Sequence, residues 1–114
     1  MARYRGLTLR VLGKRAPAMG PGKAELIERI AETGSISAAA RSMGMSYRRA
    51  WQLVEALNRD YRQRVIDTAI GGMRGGGARV TPFGKKVLAL FRAMEAKASA
   101  AIAADLRRFT RYIP

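Results

Sequence analysis

Residues 35 to 58 read SISAAARSMGMSYRRAWQLVEALN, two helical patterns divided by a single glycine. In the first, Ile36, Ala39, Ala40 and Met43 fall on one face, and Ser35 or Ser37 can accept a hydrogen bond from a free N–H at its start. The small residues of SAAARSM let a second helix approach the backbone closely, and Gly44 ends the segment. In the second, Ser46 is placed as the cap, and Ala50, Leu53, Val54, Leu57 and Tyr61 follow at helical spacing. Upstream, KAELIERIAET carries Leu26, Ile27, Ile30 and Ala31 at the same spacing, begins after Pro21-Gly22 and stops at Gly34. Three helices with a tight turn between the last two make the helix-turn-helix pattern.

The rest of the chain fits around that unit. Residues 4 to 12, YRGLTLRVL, alternate as a half-buried strand, and residues 13 to 22, GKRAPAMGPG, read as a loop. VIDTAI (65 to 70) and ARVT (78 to 81) read as paired strands. Thr81 caps a final helix with Pro82 at its first position. No further proline interrupts it until after Phe109, which allows roughly 28 residues, or about 42 Å. Phe83, Val87, Leu90, Met94, Ala98 and Ala101 step by three or four along it, like a coiled-coil seam, and Val87, Leu90, Phe91, Met94, Ala98 and Ile102 are the expected dimerisation residues. The expected fold is mainly α with a small β component: one winged helix-turn-helix domain over residues 1–114. Within it, 1–81 form a DNA-binding core with its wing and 82–110 a long C-terminal dimerisation helix.

Composition narrows the chemistry. The chain has 114 residues, 22 Lys and Arg against 8 Asp and Glu, and a net charge of +14. Such a basic domain expects a polyanion, first of all nucleic acid. Cysteine and histidine are both absent, which removes thiol chemistry, disulfides, zinc fingers and His-dependent general bases. No cofactor or metal site is expected, and no catalytic one. Glu25, Glu28 and Glu32 share one side of the first helix and read as a solvated face. Arg3, Arg5 and Arg10 interrupt the N-terminus, and no apolar run reaches transmembrane length, so the expectation is a cytoplasmic protein with no membrane partner.

The glycine run IGGMRGGGARVTPFG (70 to 84) could be a phosphate loop or a hairpin tip. A phosphate loop needs GxxxxGK[ST] and should open a helix. Here Gly77-Ala78 stands where Lys-Ser/Thr is required, and a strand follows. The run is therefore the tip of a hairpin that carries Arg74 and Arg79. On the second helix of the motif, Tyr47, Arg48, Arg49 and Gln52 lie away from the apolar stripe, near the leading end that a recognition helix presents to base edges. Arg suits guanine and Gln suits adenine, while Ser46 can hold a phosphate. Ser35, Ser37 and Arg41 complete the expected DNA-contacting set. Trp51, the only tryptophan, reads as a core anchor.

Two strings together, GPGKAELIERIAETGSISAAARSMGMSYRRAWQLVEALN (20 to 58) and TAIGGMRGGGARVTPFG (68 to 84), closely resemble the N-terminal DNA-binding domain of the molybdate-responsive regulator ModE. The likeness runs over roughly residues 5 to 95; more distantly, residues 35 to 58 resemble the helix-turn-helix of LysR-type regulators. The resemblance implies a homodimer on a two-fold DNA operator, the helix beginning Ser46-Tyr47-Arg48-Arg49 in the major groove, and Gly71–Ala78 as the wing. Members of that family continue into a domain that binds molybdate or tungstate. This sequence ends at Pro114, and the expectation is a form without that sensor, for which neither oxyanion is carried over as an effector. Two other readings use the same residues: a nucleoid-type or RNA-binding protein without sequence choice, and an adaptor whose helix over residues 85 to 109 docks a separate effector-binding protein.

Overall fold

A computed structural model describes residues 6–68 and 77–114. The elements run β1 (Val11–Leu12), β2 (Pro17–Met19), α1 (Pro21–Thr33), α2 (Ile36–Ser42), α3 (Tyr47–Asp60), β3 (Ile66–Thr68), β4 (Ala78–Val80), α4 (Pro82–Ala101) and α5 (Ala103–Thr110). Each strand pair is a separate antiparallel two-stranded sheet.

The three-helix unit forms where its sequence signals place it. Gly34 ends α1 by donating its N–H to Ile30 O at 2.7 Å. Ser35, not Ser37, caps α2: its Oγ accepts from Ala38 N at 3.1 Å, and the Ser37 hydroxyl lies 3.2 Å from it. The turn to α3 places Gly44 at φ 68°, a left-handed conformation that costs a residue with a Cβ. Met45 N reaches back across it to Ala40 O at 3.0 Å. Ser46 then caps α3 by accepting from Arg49 N at 3.0 Å.

One core joins these elements. Leu26, Ile27 and Ile30 of α1 meet Ile36, Ala39 and Ala40 of α2, and Ala50, Val54 and Leu57 of α3, all buried. Met19, Val65, Ile66, Val80 and Phe91 close it from the strands and α4. Each large aliphatic side chain buried this way contributes on the order of 1.5–3 kcal/mol, so the stripe fixes α3 with its opposite face outward.

Several expectations change. The first strand is only Val11–Leu12, and it pairs with β2 inside the stretch read as a loop. That pairing needs a partner strand and a chain reversal that Gly and Pro content alone does not show. Here Gly13 N donates to Ala16 O at 3.0 Å to close the reversal. The strand expected over residues 65 to 70 is described for Ile66–Thr68, and its last two residues fall outside the described ones. The final helix is two helices, broken at Ile102 (φ −108°, ψ 11°), so the expected single element over 82–110 does not form. No proline or glycine marks the break. What accompanies it is tertiary: Leu106 of α5 lies against Gly6, where a Cβ would come within 3.4 Å of Leu106 Cδ2.

Phe91, expected in a dimer seam, is 3% exposed and belongs to the core. There α4 docks on α1, pinned by the Arg92 guanidinium. It donates to Glu28 at 2.6 and 3.2 Å and to Glu95 at 2.7 Å. These bonds to Glu28, ahead of those to Glu95, raise the guanidinium's already high pKa further. Glu28 is thus half of an interhelix ion pair and not simply a solvated face. Trp51, expected in the core, is 37% exposed. Position 51 lies at the edge of α3's apolar stripe, where the short Ala50 and Val54 are enough to fill the space against α1 and α2.

Candidate nucleic-acid interface

The outward face of α3 is polar at its leading end. At 3.6 residues per turn, Arg48, Gln52 and Glu55 point away from the buried Ala50, Val54 and Leu57. Arg49 lies on one flank, and Tyr47 and Trp51 lie on the other. All six are exposed. The Ser46 hydroxyl accepts from Arg49 N and keeps its own proton free to donate. Its first helical turn and the charge of Arg48 and Arg49 make this end a receptor for anions and base-edge acceptors.

The flanks of α3 meet different parts of the fold. On the Arg49 side, a groove of about 430 Å³ separates α3 from the N-terminal segment; Arg10, Pro17, Lys23, Arg49, Gln52 and Leu53 are among its walls. Lys23 donates to Pro17 O at 2.7 Å. Burial lowers its pKa, Asp60 opposes the shift, and Arg59 and Arg49 add to it. Beside the groove, the Tyr61 hydroxyl donates to Ala18 O at 2.9 Å, and burial, then Asp60, raises its pKa.

On the other side stands the β3–β4 pair, with Ile66 opposite Val80, Asp67 opposite Arg79 and Thr68 opposite Ala78. Asn58 fastens it to α3. Its Oδ1 accepts from Val65 N at 2.8 Å and Ile66 N at 3.0 Å, and its Nδ2 donates to Ile66 O at 2.9 Å. Ala78 N donates to Gly34 O at 2.9 Å, so the base of the wing abuts the start of α2, where Ser35 and Ser37 sit. Arg79 is exposed and 3.8 Å from Asp67, a loose pair that leaves its guanidinium available.

At the far end of β4, Thr81 ties the wing to α4. Its Oγ1 donates to Arg64 O at 2.6 Å and accepts from Gly84 N at 2.9 Å. A Cβ on Gly84 would collide with Val65 O, so only glycine lets α4 lie this close to the chain entering β3.

The structure therefore brings Ser35, Ser37, Ser46, Tyr47, Arg48, Arg49, Gln52 and Arg79 to the start of α2, the leading half of α3 and the wing base. Arg41 is exposed in the last turn of α2, beside the turn into α3. Arg74 and the glycines from Gly71 to Gly76 lie outside the described residues. Sequence reasoning missed Asn58 and placed Trp51 inside. A polar residue in the last turn of a helix, just before a strand, is the signal that could have found Asn58.

Residues 22–85, more than half of the chain, match the family model for the bacterial regulatory helix-turn-helix protein, lysR family. The chain belongs to this family. The matched span takes in α1, the helix-turn-helix, the wing and the first turn of α4. Among curated relatives of this LysR-family domain, the molybdenum-pterin-binding protein MopB of Rhodobacter capsulatus is 46% identical over 81% of this chain and 33% of its own length. The DNA-binding transcriptional dual regulator ModE of Escherichia coli is 35% identical over 62% of this chain and 27% of its own. The resemblance to ModE read from the two sequence strings holds in these relatives, of whose length the chain spans about a third.

Solved structures share the fold. ArgP from Mycobacterium tuberculosis matches with a TM-score of 0.53 and 25% identity, over 76% of this chain and 30% of that one. The full-length LTTR LysG from Corynebacterium glutamicum with bound effector Arg matches at 0.57 and 20%, over 82% and 30%. The expected winged helix-turn-helix with a long helix after the wing stands. Among the described residues, no helix is long and apolar enough to cross a membrane.

Proposed function

We propose that this chain is the DNA-binding part of a sequence-specific transcriptional regulator of the ModE and LysR type, acting as a homodimer on a two-fold operator and carrying no enzymatic activity. The observation that carries the proposal is α3: a capped helix, locked by its apolar stripe, that turns Arg48, Gln52 and Arg49 outward on a domain of net charge +14. Arg48 and Gln52 read base edges, as bidentate Arg–guanine and Gln–adenine pairs. Ser35, Ser37, Arg41, Ser46 and Arg79 hold phosphates on either side and set the register. Tyr47 contacts the groove from the wing side.

The dimer forms through the part of α4 that the core leaves uncovered, where Leu90 and Met94 are exposed and Val87 and Ala98 flank them. Ile102 lies at the α4–α5 junction and closes that seam. Two copies of α3 then lie about 34 Å apart, one turn of DNA. The names of the relatives raise molybdenum species as candidate effectors, and a thermal shift with molybdate or tungstate tests that for this chain.

Binding at fixed salt tests the assignment of α3. Arg48→Ala and Arg49→Ala are each expected to weaken binding to a selected site by about 1–3 kcal/mol and to relax the preference at one base position. Unchanged affinity and preference in both variants would remove α3 from the interface.

A further inference from the structure

On α3, every large aliphatic side chain lies inside or at the margin of the core, yet its two aromatic residues stand outside. Tyr47 is 56% exposed and Trp51 37%, and neither joins the apolar cluster. Their rings lie 6.4 Å apart at an interplanar angle of 10°, stacked one helical turn apart. The Trp51 indole N–H has no hydrogen-bond partner among the described residues. The pair makes an apolar ridge along the wing-side flank of α3, beside the outward Arg48 and Gln52.

We infer that the Tyr47–Trp51 stack is a specificity element of the DNA interface: it packs on the C5 methyl of thymine in the major groove, next to the bases contacted by Arg48 and Gln52. The inference rests on the reading of α3 as a recognition helix and adds a contact of a different kind.

Charge complementarity commits the ridge to duplex DNA. Exposed Arg48 stands next to it on a domain of net charge +14, and an exposed apolar surface on an otherwise well-segregated helix marks a contact site. Phosphate offers nothing to the face of an indole ring. In the major groove the one apolar feature is the thymine methyl, which is also what separates thymine from cytosine at that edge. Glu55, one turn beyond Trp51 on the outward side, agrees with this depth. Its carboxylate is repelled by backbone phosphates but can accept from a cytosine amine on the groove floor. Because the two rings already stack on each other, less side-chain freedom is lost on binding.

The test begins with fragments of genomic DNA selected by the wild-type protein. Each thymine of the selected half-site is replaced singly by deoxyuridine, which keeps base pairing and removes only the methyl group. Affinities are measured at fixed salt for wild type, Trp51→Ala and Trp51→Phe. One or two replacements per half-site are expected to weaken wild-type binding about four-fold, the worth of one buried methyl. The same replacements should be silent for Trp51→Ala and intermediate for Trp51→Phe. Melting temperatures are measured alongside: Trp51→Ala, which gives up a partly covered ring, should stay folded with a lowered midpoint, and Trp51→Phe should lie closer to wild type. A wild type insensitive to every deoxyuridine, or a Trp51→Ala protein as sensitive as wild type, overturns the inference and leaves the regulator reading intact. A wild type that selects no preferred fragment removes that reading, and this inference with it.

Discussion

Helices α3 and α4 are both amphipathic, and the fold treats them differently. The apolar stripe of α3 is largely taken up by the core, with Ala50 and Leu57 at zero exposure and Val54 at 1%. Helix α4 gives Phe91 to the same core while its neighbour Leu90 is 65% exposed and Met94 39%. The core therefore ends part-way along α4. Helix α3 spends its aliphatic stripe internally and shows Arg48 and Gln52 outward beside the Tyr47–Trp51 pair, whereas α4 keeps aliphatic surface outside, which suits cover by protein. The first property suits base reading and the second suits pairing of copies.

Adjacent residues can break this contrast. Phe91→Ala should cost about 3 kcal/mol or more of folding stability, as truncations of buried aromatic residues do. Gly84→Ala should cost about 1–3 kcal/mol, because the new Cβ would collide with the backbone oxygen of Val65. Denaturant titration reads both, and an unchanged midpoint for either would mean that α4 is not seated as described. Leu90→Asp combined with Met94→Asp should leave the fold nearly intact while converting the proposed dimer to monomers in sedimentation. A variant that stays dimeric would place the seam elsewhere.

On the α3 side, Asn58→Ala should cost about 2 kcal/mol, since it strands the N–H groups of Val65 and Ile66 beneath the wing. The smallest effect is expected for Arg79→Ala. If Arg79 holds a phosphate as proposed, binding should fall by under about 1 kcal/mol on all sequences alike, and the salt slope should drop by about one. A sequence-dependent loss would instead put Arg79 on a base edge.

What was legible in the sequence follows from how local the signal is. Caps, stops and helical periodicity act within a few residues, so Ser46, Gly34 and the stripe from Ala50 to Leu57 carried the helix-turn-helix directly. The glycine run excluded a phosphate loop because that motif has a strict spacing. Non-local contacts were not legible. β2 exists because β1 lies beside it, and the break at Ile102 goes with the contact of Leu106 on Gly6. Phe91 and Leu90 have similar hydrophobicity, and only the docking angle of α4 decides which one is buried. Trp51 failed for the reverse reason. Large apolar side chains are ordinarily buried, and its position beside Ala50 gave no sign that the core was already full.

The central claim is that α3 reads a particular DNA sequence, and competition measures it most directly. The best fragment selected from genomic DNA is challenged with unrelated duplex at constant salt. A specific regulator should retain a preference of at least about 10³, with protection over two half-sites one helical turn apart. Equal affinity for both DNAs, with the same salt dependence, would contradict the claim and leave a basic protein that binds DNA by charge alone.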